Sequence, residues 1–158
     1  LAGCGGCAAG AIITRLVGGK TDIIMMLNGA LAGLVSITAG PLDPSPMAAI
    51  LIGAVGGLIM YLGTHLLNRL KLDDVVGAIP VHMFAGIWGT LIVPFSSPDT
   101  SYVTQFIGVV SVISFVFVLS FIVFLIIKNT IGLRISEEAE QLGTDKAEVG
   151  VLAYSIRD

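Results

Sequence analysis

Charge is scarce in this sequence. Only 12% of its 158 residues are Asp, Glu, Lys or Arg. A soluble domain carries charge at about a quarter of its positions, so water is a poor solvent for this composition. The net charge of −3 is small, and no basic patch exists to hold phosphates, which removes nucleic acid from the partners. Cysteine is equally sparse. Cys4 and Cys7 form a C-x-x-C, but no second cysteine pair and no nearby histidine completes a zinc site. Small-residue packing is the plainer role for this pair. Nucleophile–base arrangements, paired carboxylates and phosphate-binding loops are also missing. The sequence therefore reads as a non-enzyme with no metal and no cofactor.

What is abundant is apolar. Hydrophobic residues make up 55% of the chain, and the mean hydropathy is +0.97. A bilayer core needs about 20 mostly apolar residues per helix. Five stretches meet or approach that length: residues 1–17, 23–40, 47–67, 75–94 and 102–131. The first is short, and Leu1 lies inside it with no basic leader before it, so the sequence reads as starting in mid-protein. Between the stretches lie Gly18-Gly19-Lys20-Thr21-Asp22, the proline-rich residues 41–46, Asp73-Asp74, and Ser96-Ser97-Pro98-Asp99. Proline and glycine end helices there. The fold class expected is an all-α integral membrane protein with five transmembrane helices in residues 1–132 and a tail over 133–158.

The basic residues fix a direction. Arg15 and Lys20 lie at or after the end of the first stretch, Arg69 and Lys71 follow the third, and Lys128, Arg134, Lys146 and Arg157 lie at or after the end of the fifth. All 8 fall on one side, while the opposite loops hold only Asp43 and Asp99. The positive-inside rule then makes the C-terminus cytoplasmic in a multi-pass protein of the cell membrane.

Small residues recur at helical spacing. Gly6 and Gly10, Gly29 and Gly33, and Gly53 and Gly57 are G-x-x-x-G pairs; Gly86 and Gly89 are three apart. Such stripes let membrane helices approach closely, although glycine is also generally common in such helices. The fifth stretch has no glycine between Gly108 and Gly132, and it is expected to lie against the outside of the bundle, facing lipid.

Polar groups at membrane depth are costly, so each needs an account. His82 sits between Val81 and Met83 with no charged neighbour in the chain. A neutral imidazole offers one donor and one acceptor, enough to bind a small polar solute or relay a proton; the plainer role is packing against a neighbouring helix. Two residues earlier, Pro80 has no N–H, so the carbonyl of Val76 loses its usual helix partner. Asp73 and Asp74 are placed to cap this helix. His65, beside Asn68 and Arg69, reads as interfacial. Tyr61 and Trp88 read as packing or interfacial anchors, and Asn28 as the donor or acceptor of a helix–helix hydrogen bond.

These residues resemble one family. The run Leu72-Asp73-Asp74-Val75-Val76-Gly77-Ala78-Ile79-Pro80-Val81-His82, followed by Gly86-Ile87-Trp88-Gly89-Thr90, resembles the segment around the second pore histidine of ammonium transporters. Leu27-Asn28-Gly29-Ala30-Leu31-Ala32-Gly33-Leu34-Val35 with Thr38 is similar to their eighth helix, and Gly132-Leu133-Arg134-Ile135-Ser136-Glu137-Glu138 to the start of their tail. The resemblance implies helices seven to eleven of an eleven-helix fold built on inverted repeats and assembled as a homotrimer in membrane lipid. It implies that ammonium loses its proton and passes as ammonia between stacked histidines, the second being His82. Ala78, Ile79 and Ala85 are its expected pore-facing neighbours by helical spacing. The first histidine, a phenylalanine gate and an outer recruitment site would lie in an N-terminal half outside this sequence, without which the piece should not conduct.

The tail departs from the family pattern. Gly143-Thr144-Asp145 and Ala153-Tyr154 stand where the family has Gly-Leu-Asp and Ala-Tyr, but Val149-Gly150-Val151 replaces a polar His-Gly-Glu. A PII-type regulator is the partner the family tail implies, and the altered triplet weighs against its docking. Two other readings compete: a non-conducting ammonium sensor on the same fold, and an unrelated structural bundle in which His82 merely packs.

Overall fold

The structure is a computed structural model that describes residues 1–153; Tyr154 and Arg157 lie outside the described residues. It divides into two compact units, Leu1–Ser111 and the chain from Val112 onward. No strand occurs among the described residues.

The first unit opens with α1 (Ala2–Gly18), α2 (Ile23–Ile37) and α3 (Pro46–Arg69). Local chemistry sets their ends. Gly19 adopts φ 73° and its N–H returns to the Arg15 carbonyl, closing α1 as glycine commonly does. The Asp22 carboxylate caps α2 by accepting from the Met25 N–H at 3.0 Å. Ser45 caps α3 through the Ala48 N–H, and Pro46 occupies the first turn, where its missing N–H costs nothing. The second helix stops at Ile37, three residues before the expected Gly40, because Thr38 and Gly40 turn tightly onto the carbonyls of Val35 and Ile37.

Each of these helices is apolar outside and small inside. On α3 the outward positions are Leu51, Val55, Leu58, Leu62 and Leu66, all exposed. Its inward positions include Gly53, Gly56, Gly57, Met60 and Gly63, all buried. Leu27, Leu31 and Leu34 face outward on α2, while Gly29, Ala32, Gly33 and Ser36 are buried. A soluble helix shows the opposite arrangement, with a polar outer face. An apolar rim is what lipid requires.

The glycines make the junction. A Cβ at Gly6 would run into the carbonyl of Gly29 and come within 2.9 Å of the Gly33 Cα. One at Gly57 would lie 2.6 Å from the Gly6 carbonyl oxygen, and one at Gly29 2.5 Å from the same atom. Gly33 and Gly53 both abut the Ala2 carbonyl, and Gly10 abuts the Met25 carbonyl. Three helices thus meet backbone to backbone around Gly6, which no larger residue permits.

The stretch 75–94 is not one helix from its start. Residues 72–77 are irregular, Gly77 has φ 75°, and regular structure begins with a π-helical turn, Ile79–Phe84. It runs on into α4 (Ala85–Leu91) and, after Ile92, into the short α5 (Val93–Ser96). The cause lies in two residues: glycine at a left-handed φ breaks the helix before residue 78, and Pro80 lacks the donor that would extend it backward. A core of Ala32, Met60, Val81 and Ala85 holds this element against α2 and α3.

Helix α6 (Tyr102–Thr130) continues past Ser111 into the second unit, and none of its residues is buried. Beyond it the second unit contains α7 (Glu137–Leu142), capped by Ser136, and a second π turn, Asp145–Val149. Three segments are long and apolar enough to cross a membrane: Pro46–Arg69, Ile79–Ser96 and Tyr102–Thr130. Helices α1 and α2, of 17 and 15 residues, are apolar but shorter.

Candidate functional site

The segment carrying His82 is built from its entrance. Asp74 places one carboxylate oxygen on the Ala78 N–H and the other on the Ile79 N–H, each at 2.8 Å. These two orphan donors would otherwise end the helix unpaired. Asp73 is exposed and makes no such bond among the described residues. The carbonyl of Val76 accepts from the Asn28 side-chain amide at 3.1 Å, across from α2. The next carbonyl, of Gly77, accepts the Val81 N–H at 3.1 Å.

From this anchored start the wide turn carries its side chains to two sides. Pro80 and Val81 are buried against the bundle. His82 is exposed, as are Ala78 and Ile79, and among the described residues its ring has no hydrogen-bond partner. Ala85 departs from the spacing argument: it is fully buried in the core, and its carbonyl lies 3.5 Å from the Ser36 hydroxyl. Ala85 opens α4 on the bundle side of the segment. Ala78 and Ile79 remain in the open with His82, and Ala85 does not.

The remaining polar residues sort cleanly. The Trp88 indole donates to the Ile52 carbonyl at 3.1 Å, tying α4 to α3. His65 is exposed and meets the Tyr61 ring edge-on, with centroids 4.4 Å apart. Both line an open cavity of about 440 Å³ with Thr14, Lys20, Asp22 and Met25, away from His82. Cys4 and Cys7 are free thiols, the first exposed and the second half-buried. A Cβ at Gly89 would sit 2.6 Å from the Ser36 carbonyl oxygen, whereas one at Gly86 would find only a Val35 methyl at 3.7 Å. Gly89 is thus a close approach and Gly86 is not.

Three close-packed glycines carry no mark in the G-x-x-x-G count: Gly5 against the Ile50 carbonyl, Gly56 against the Ser36 hydroxyl, and Gly63 against the Phe84 ring. The signal was present in α3, where Gly53, Gly56, Gly57, Met60 and Gly63 form one inward stripe at three- and four-residue steps. Thr14 and Ser36 are buried and return their hydroxyls to their own helices, at 2.8 Å to Gly10 and 2.7 Å to Ala32. That local bond is how a hydroxyl survives away from water.

Comparison with known proteins adds a family to this geometry. The profile of the Ammonium Transporter Family matches residues 1–154. Ammonium transporter Amt2 of Archaeoglobus fulgidus is 38% identical over 172 aligned positions, covering 93% of this chain and 36% of the relative. Ammonium transporter Amt2 of Methanocaldococcus jannaschii is 34% identical over 154, covering 92% and 37%. Ammonium transporter Amt1 of Haloferax mediterranei is 38% identical over 162, covering 94% and 31%. The chain spans about a third of the length of these curated relatives.

Proposed function

Because the chain belongs to the ammonium transporter family, a family of membrane-embedded multi-pass proteins, we propose that it forms part of a conduit for ammonium or ammonia and that His82 lines that conduit. The observation that carries this is the exposed, unpartnered imidazole on a π turn anchored at its start by Asp74 and Asn28. A packing histidine would be buried or bonded within the bundle, as Trp88 is. Ala78 and Ile79 share its exposure and are the proposed neighbours along the path.

The chemistry follows from desolvation. Moving a bare cation into a dry passage costs several kcal/mol or more, by order of magnitude. Ammonium can avoid that cost by leaving its proton behind; potassium cannot. An uncharged imidazole can then accept from or donate to the neutral species without adding charge at membrane depth. The missing walls of the passage would come from helices beyond this sequence, and a homotrimer in lipid with a cytoplasmic C-terminus is the assembly in which we place it. A PII-type regulator is the weaker part of the proposal, since Val149-Gly150-Val151 offers no polar side chain to such a partner.

The test is His82→Ala in the full-length protein, expressed in cells lacking their own ammonium uptake. Methylammonium uptake per molecule should fall about tenfold or more, equivalent to about 1.4 kcal/mol of barrier. Uptake at the wild-type rate would remove the imidazole from the path. A variant that binds ammonium while the wild type never transports it would favour the sensor instead.

A further inference from the structure

We propose that Asn28 is a positioning residue for His82, its side-chain amide holding the Val76 carbonyl at the entrance to the π turn. The inference rests on the reading of His82 as a lining residue and adds the device that aims it. Gly77, at φ 75°, turns the chain out of the helix just after Val76, so the Val76 carbonyl has no helical donor; Asn28 Nδ2, from α2, donates to it at 3.1 Å.

Gly77 makes the reach possible. It holds φ 75°, and a Cβ there would lie 2.9 Å from the Asn28 amide nitrogen. The glycine therefore leaves the space through which the amide meets the carbonyl before it. Asp74 holds the next two N–H groups but belongs to the same segment, so it shapes the turn without fixing it to the bundle. Asn28 comes from another helix, one packed against α1 through Gly29 and Gly33. It ties the start of the wide turn to the rigid glycine junction.

The consequence is angular. His82 lies within the π turn Ile79–Phe84, and its direction depends on where the wide turn begins. A slip of one residue rotates a helical side chain by about 100°. Releasing Val76 frees the start of the turn, and the imidazole loses its alignment while the rest of the bundle stays folded.

The experiment uses the full-length protein and methylammonium uptake, normalised to the amount of protein in the membrane. Asn28→Ala should lower the maximal rate about fivefold or more with KM within about twofold, since alignment and not solute binding is lost. Asn28→Asp has the same shape but sets an acceptor against the Val76 carbonyl, and it should be worse than Asn28→Ala. If Asn28→Ala does not accumulate, Asn28→Ser, which keeps a donor, is compared with Asn28→Asp; a better rate for the serine variant supports the proposal. Wild-type turnover in Asn28→Ala and Asn28→Asp, with His82→Ala impaired, overturns the proposal and leaves the conduit standing. Wild-type turnover in His82→Ala overturns both.

Discussion

The junction of α1, α2 and α3 and the segment leading to His82 are held by opposite means. The junction contains almost no polar side chains; its helices meet at Gly6, Gly29, Gly33 and Gly57, with backbone against backbone. The His82 segment makes its decisive contacts through hydrogen bonds, from Asp74 to two N–H groups and from Asn28 to one carbonyl. The first region resists change in volume, and the second resists change in donor or acceptor. A rigid, featureless platform thus carries one polar, adjustable element, and the exposed imidazole sits on the latter.

The sharpest way to break the contrast is volume in the junction. Gly6→Ala places a methyl against the Gly29 carbonyl and the Gly33 Cα, where only backbone can yield. Overpacking costs about 1–3 kcal/mol where side chains can adjust, and the cost should reach or exceed the top of that range here. Gly18→Ala in the same helix meets nothing within 4 Å and should gain up to about 1 kcal/mol from helix propensity. Thermal unfolding midpoints of the detergent-purified full-length protein should fall for the first and hold or rise for the second. Equal midpoints would mean the helices are not packed at Gly6 as described.

The next effect separates two glycines that look alike in the sequence. Gly89→Ala drives a methyl to 2.6 Å from the Ser36 carbonyl oxygen and should lower the midpoint by several degrees. Gly86→Ala has its nearest atom at 3.7 Å and should be neutral or slightly stabilising. Smaller again is the loss of the polar staple. Asp74→Ala leaves the Ala78 and Ile79 N–H groups unpaired and should cost about 0.5–2 kcal/mol, while Asp73→Ala should stay within about 0.5 kcal/mol. Comparable losses at the two aspartates would contradict the capping geometry.

These pairs also show how much could be read before any coordinates. The G-x-x-x-G spacing located Gly6, Gly29, Gly33, Gly53 and Gly57, because three- and four-residue steps map directly onto one helix face. Pro80 pointed to Val76 as an orphan, and Asn28 read as a helix–helix hydrogen-bonder, but nothing paired the two, since a contact 48 positions away leaves no local trace. The π turn was invisible: it shifts the helical register without any change in composition. Ala85, placed with His82 by α-helical spacing, is found in the core. Val75 and Val76 are as apolar as the helix that follows, so hydropathy extended that helix backward past Gly77, where φ 75° breaks it.

The smallest expected effect lies after α6, in the polar contact at Asp145. Asp145 accepts the Ala153 N–H at 2.8 Å, and with the Lys146 N–H this holds its carboxyl below the ordinary value of 3.8. Gly143, at φ 95°, leaves room for that carboxylate, since a Cβ would lie 2.7 Å from its oxygen. A carboxyl with a lowered folded value contributes order that is fully present above its unfolded value and is lost as pH falls through the folded one. The tail contact should therefore be indifferent to pH from 5 to 8, about the range in which the carboxyl stays ionised. It should open only in acid. The amide proton shift of Ala153, followed by NMR in isotopically labelled full-length protein, should titrate with a midpoint below 3.8 and become flat in Asp145→Asn. A midpoint at or above that value would mean the carboxylate is solvated and the 145–153 contact is not formed.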